Sequence, residues 1–229
     1  MAKNEVAKAE PMAVSEMGEM FDLKENMVGI EARLPQIKII HQAQLFEMPD
    51  GKKVPQVVGT ILDINRVNAW WEESFEQTGG GSPPDCFSMD GVTPDAFSGK
   101  KQAEECPGCV MNQYGSDGGR GKACKNAKRV HIMQDGEMLP YRLTVPPSNL
   151  KAVDLYVSLL TSKATPYQLV RTEISLKKVQ NKDGIAYAEM VFENAGVIDT
   201  KEEALRIKKL RDEFMITMRG QAIKATEEM

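Results

Sequence analysis

Four cysteines, the only ones in the chain, fall within one Gly- and Lys-rich stretch: Cys86, Cys106, Cys109 and Cys124. Cys106-Pro107-Gly108-Cys109 is a CxxC knuckle; nineteen residues separate it from Cys86 and fourteen from Cys124. A tetrahedral zinc ion suits this set, because a tight turn lets two thiolates of a knuckle reach one ion. The other two ligands can come from farther away, since loop-closure cost grows only with the logarithm of length. Four thiolates close the coordination sphere, so the expected role of one Zn2+ is structural. A Cys-ligated iron–sulfur cluster is the rival, although neither ferredoxin spacing is present. Disulfides and unligated thiols are the remaining readings.

Catalysis finds little support. No His-x-Glu accompanies the cysteines, as a zinc deaminase would require, and the chain has only two histidines, His41 and His131. His131 is a substitute ligand seven residues past Cys124, but its strand-like surroundings favour a structural histidine. Gly115-Ser116-Asp117-Gly118-Gly119-Arg120-Gly121-Lys122 superficially resembles a phosphate loop. Its first glycine comes one residue early for GxxxxGK, and Ala123 stands where Ser or Thr would hold magnesium. A nuclease built from Asp63, Glu72, Glu73 and Asp85 lacks any motif. The expectation is a protein that is not an enzyme.

A cationic run leaves the cysteine region: Arg120, Lys122, Lys125, Lys128 and Arg129, with no acid as far as His131. Most such runs are solvated faces. This one borders candidate stacking rings at Trp70, Trp71, Phe75, Phe87, Tyr114 and Tyr141. Single-strand binding uses that combination of charge and exposed rings. Lys38 and Arg142 complete the candidate phosphate contacts. Adjacent Trp70 and Trp71 point to opposite faces of a strand, which places one in the core and leaves one available. Bulk charge gives no such indication: the 229-residue chain has 27% charged residues and a net charge of −4.

The elements that must position these residues are mostly strands. Residues 1–33 are polar and read as an arm. Strand texture appears at 36–40 and 44–48, with Pro49-Asp50-Gly51 as a turn, and a long strand runs from Val57 towards Trp71. Residues 78–126 form the cysteine insertion, whose composition cannot order itself without a staple. Strands resume at 128–133 and 138–145. Ser148 is the expected N-cap of a helix with an apolar stripe of Val153, Tyr156, Val157 and Leu160. Strands follow at 169–178 and 185–192 around an Asn181–Gly184 turn. Thr200 and Glu203 then open a last helix over 201–218, lined by Ile207, Leu210 and Phe214. The fold class is mainly β (α+β). A helix between the third and fourth of five strands is the connectivity of an OB-like barrel. The barrel covers 34–195 and is interrupted by the insertion; residues 196–229 hold the C-terminal helix and a short acidic end.

Strand order, stapled insertion and acidic ending together resemble the single-stranded DNA-binding proteins of bacteriophages, of the T4-like helix-destabilising type. The resemblance is architectural and covers about residues 34–195. It implies an OB core with a zinc subdomain that coats single strands in DNA replication, recombination or repair, alongside other replication or recombination proteins. That family's zinc site uses one histidine and three cysteines, whereas this chain offers four cysteines. The family's long acidic tail is reduced here to Glu227-Glu228-Met229. RNA is the other nucleic-acid ligand. The alternative function is a zinc-stapled adaptor, such as a phage factor docking on a host enzyme, with the C-terminal helix (201–218), Met215 and Met218 near its end, as a docking face, although methionines at helical spacing more often belong to a core. The N-terminal residues are charged throughout with no apolar core, and no run is long enough to span a bilayer. A cytoplasmic location, in a phage-infected bacterial cell, is therefore expected.

Overall fold

A computed structural model gives the fold and describes residues 33–73, 82–180, 184 and 186–220. The N-terminal arm to residue 32, Phe75 and the acidic end lie outside the described residues, as does most of the Asn181–Gly184 turn. The chain divides into residues 1–33 and a compact unit over 34–229.

The first three strands are short: β1 (Gln36–Ile40), β2 (Leu45–Glu47) and β3 (Lys53–Val54). The expected Pro49-Asp50-Gly51 turn joins β2 to β3. Gly51 adopts φ +84°, which places its N–H on the Met48 carbonyl at 2.8 Å. Only glycine takes that backbone region without steric cost. The long strand β4 (Gln56–Trp70) follows, then β5 (Cys86–Ser88) within the insertion. β6 (Lys125–Met133) and β7 (Tyr141–Val145) form a hairpin. After helix α1 (Leu150–Ser162) come β8 (Val170–Gln180), β9 (Ala186–Val197) and helix α2 (Lys201–Gly220).

The strands form one sheet in the order β3-β2-β1-β7-β6-β4-β8-β9, with β5 added to the far end of β4. All described pairings are antiparallel except β1 with β7. A single buried cluster joins Ile37 and Ile39 of β1 to Ile174 of β8 and Met190 of β9, by way of Ile61, Val130, Ile132 and Leu143. A flat sheet could not bring its two ends to one core, so the sheet curls into a half-barrel. Helix α1 plugs it with Val153, Tyr156 and Leu160, as the apolar stripe predicts. The helix does stand between two strands of the curl, β7 and β8.

Two helix starts differ in detail from expectation. Asn149, not Ser148, occupies the N-cap of α1, and its side chain makes no cap hydrogen bond. It is buried and pins β9 instead, donating to the Ala188 carbonyl at 3.1 Å and accepting from Met190 N–H at 2.9 Å. A buried amide takes the partners that satisfy both of its ends, and β9 offers both. At α2, Thr200 Oγ accepts from Glu203 N–H at 3.4 Å as expected, but the Glu203 carboxylate turns to Arg206.

Helix α2 lies against β4. Met218 is fully buried with Leu34, Leu62, Met133 and Ile207, so it belongs to a second core and not to a docking face. Arg219 donates to both oxygens of buried Asp63, at 3.0 and 2.9 Å. A bulge between Ile61 and Asp63 shifts the β4–β6 register, and both faces of β6 are buried beyond it. One face feeds the half-barrel core. The other carries two cross-strand polar rows, Asp63–His131–Arg142 and Asn65–Arg129–Thr144, all buried.

Candidate metal centre and nucleic-acid interface

The four cysteines arrive from three directions. β5 places Cys86 opposite Trp70 at the end of β4. The knuckle is held by Cys106 N–H on the Val92 carbonyl (2.7 Å) and Cys109 N–H on the Cys106 carbonyl (3.3 Å). Cys124 enters beside β6, with its N–H on the Met111 carbonyl (2.8 Å). The root of the insertion packs Phe87 and Met89 on Val67, Ala69 and Ala127. Farther out, side chains replace a core. Asp90 accepts from Val92 and Thr93 N–H, Ser98 bridges to Phe87, and Asn112 Nδ2 donates to the Cys106 carbonyl at 2.7 Å.

All four cysteines line one cavity of about 20 Å³, with Asn68, Trp70, Met111 and Asn112 among its walls. That volume suits a single water-sized occupant. The thiols are free, and among the described residues no three His, Cys, Asp or Glu side chains stand at metal-ligand spacing. Burial pushes the Cys124 thiol up to about 12, and the three neighbouring cysteines push the same way. Burial also raises Cys106, against hydrogen bonds from Ser88 and Asn68 that lower it. His131, the alternative ligand, is remote in role: it is fully buried in its polar row, and burial holds its pKa down at about 3.

The candidate strand-binding residues are distributed unevenly. Lys122 and Tyr114 meet, with the ammonium 5.0 Å from the centre of a ring that is 82% exposed. Lys122 also donates to Asn112 and Asn126 Oδ1, each at 3.2 Å, and Lys125 donates to the Lys122 carbonyl at 3.1 Å. Arg120 is exposed nearby in sequence. Strand alternation separates Lys125 and Arg129 from Lys128, which pairs with Asp154 of α1. Arg129 and Arg142 lie in the buried rows, and Arg142 donates to Gln36 Oε1 at 3.1 Å. Trp70 is buried and Trp71 half-buried, with its indole N–H on the Ser82 carbonyl at 3.1 Å. Tyr141 is half-buried, and Lys38 is exposed on β1, 3.7 Å from Glu47. Of the scattered acids, Asp63 is committed to Arg219, while Glu72 and Asp85 share Lys100.

A groove of about 290 Å³ opens beside the thiol cavity, between the insertion, β4, β6 and the start of α1. Arg66, Asn68, Asn112, Lys122, Asn126 and Lys128 line it. Asn68 and Asn112 line both the groove and the thiol cavity. Sequence reasoning missed Arg66 and the three asparagines, because only the β4–β6 register sets Arg66 opposite Lys128 and Asn68 opposite Asn126. It also missed Phe97, which is 90% exposed in the insertion. No family model, curated protein or solved structure matches this chain. No described helix is long and apolar enough to cross a membrane.

Proposed function

We propose that this protein binds single-stranded DNA with little sequence preference, through a surface ordered by a structural zinc ion, and that it serves phage DNA replication, recombination or repair inside the bacterial host. The observation that carries the reading is Lys122. Its ammonium lies over the exposed Tyr114 ring and is held by Asn112, the residue that also clasps the Cys106 carbonyl of the knuckle. A cation beside an open ring is what a sequence-tolerant strand site needs, because every base has a face to stack and every linkage a charge.

The thiol cavity supports the zinc. Four cysteines lining a space for one small occupant are a donor set of the right chemistry, and burial by itself favours the protonated thiol at Cys106 and Cys124. A bound dication supplies the charge that converts them to thiolates and thereby ties the insertion together. Cys86, Cys106, Cys109 and Cys124 would hold it. The finer fold reading, an OB barrel, draws support from α1 between β7 and β8 and from β4 pairing with both β6 and β8. β1 occupies the edge of β7.

Elemental analysis and a salt titration of labelled oligo-dT binding test this together. The expected result is one zinc per chain and affinity that falls by about 0.7 log units per log unit of salt for each phosphate contact. Absence of oligonucleotide binding at low salt would overturn it. The adaptor reading draws on Phe97 and Val110, exposed apolar side chains of the insertion. A protein partner retained after nuclease treatment, without strand binding, would select it.

A further inference from the structure

Arg66 and Lys128 stand directly opposite one another across β4 and β6. Like charges in that position repel and destabilise a sheet. Lys128 is relieved by Asp154. Arg66 is exposed and has no acidic partner among the described residues. Its stem is nevertheless fixed, because the insertion folds down on it at Gly91. A Cβ there would lie 2.8 Å from the Arg66 Cβ, and Gly91 has φ +72°. The third cation, Lys122, is held by amide oxygens that position it without cancelling its charge. Three cations therefore face one carboxylate around a groove of about 290 Å³. Asn126 Nδ2 donates to Asn68 Oδ1 at 2.9 Å, which pairs the two amides of the groove floor with each other.

We propose that this groove takes a backbone phosphate of the bound single strand, with Arg66 as its principal anchor. Asp154 is a built-in competitor: it holds Lys128 in the free protein and gives it up when a phosphate arrives. The like-charge pair is then a site whose missing counter-ion is the ligand. Affinity is moderated from within, since each strand must displace a carboxylate. This inference rests on the strand-binding reading above and adds to it the path of the backbone and an acid that opposes it.

Fluorescence anisotropy of labelled dT15 on the full-length chain, titrated with salt, tests it with R66Q, D154N and the exposed-lysine control K178Q. R66Q is expected to weaken binding about tenfold, the loss of one charge-assisted contact, and to lower the salt slope by about 0.7. D154N is expected to tighten binding several-fold, and K178Q to match wild type. Side-chain amide signals of Asn68 and Asn126 should shift when unlabelled dT6 is added. Wild-type binding with R66Q unchanged in affinity and slope would overturn the groove while leaving strand binding intact. An unchanged D154N would overturn the competitor. A wild type that binds no strand overturns both this inference and the function on which it rests.

Discussion

Acidification should destabilise this protein through one side chain well before its carboxylates titrate. His131 has no exposed surface, and among the described residues no group meets hydrogen-bond geometry with either ring nitrogen. Burial dominates in holding its pKa down at about 3; Arg129 and Arg142 push the same way, and Asp63 opposes them. Asp63 itself is engaged by Arg219 from α2. In the unfolded chain a histidine takes its proton near pH 6.5, whereas folded His131 refuses one until about pH 3. Between those values the unfolded state binds one more proton, so stability falls as pH falls, by about 1.4 kcal/mol per pH unit. At pH 5 the accumulated loss is about 2 kcal/mol, equivalent to about 4–8 °C in Tm for a chain of this size. Asp90, Glu203 and Asp212, whose pKa values are lowered, lose their contributions below the ordinary carboxylate range, outside this window. The assay is urea unfolding of wild type and His131→Leu from pH 7.5 to 5. The wild-type slope should vanish in the variant. A variant that keeps the slope, or a His131 ring carbon titrating near pH 6.5 by NMR, would refute the reasoning.

Three other outcomes follow from the same geometry. Gly59→Ala would set a Cβ 2.9 Å from Ile132 Cγ1 and closer still to the Met133 carbonyl, so it should cost about 2–3 kcal/mol by urea midpoint; a change under about 0.5 kcal/mol would contradict the close approach of β4 to β6. Arg219→Ala leaves the Asp63 carboxylate buried without its partner and should cost about 2–3 kcal/mol, discounted because the guanidinium is half exposed; adding Asp63→Asn should restore part of that loss, and a strictly additive double variant would refute the pairing. Cys109→Ser, or chelation of the wild type, should release the insertion, where closing a loop of this length is worth ~4 kcal/mol. Hydrogen exchange should rise over residues 106–124, and oligo-dT affinity should fall while the half-barrel core stays protected.

Much of the fold was legible because it is written locally. Period-two alternation marks β8, the 3.6-residue stripe marks α1, and Pro49-Asp50-Gly51 marks its turn. The presence of four cysteines in one insertion was legible too, since all of them fall within residues 86–124. The cationic residues were not. Arg129 and Lys128 are neighbours in sequence, yet one lies fully buried in a polar row while the other pairs with a helix. Alternation tells which residues share a face of β6, but not that both faces are covered.

By itself, then, the sequence determined the elements, the CxxC knuckle and the basic character of the segment that leaves it, because each depends on residues within a few positions of one another; packing brought Cys86 and Cys124 to the knuckle's cavity. Only the tertiary structure decided which charges remain open. A one-residue bulge at Ile61/Asp63 sets the β4–β6 register, and that register puts Arg66 against Lys128 and Asp63 against His131. β4 and β6 are joined through the long insertion and not by a tight turn, so their register and the covering of β6 are properties of packing between distant segments.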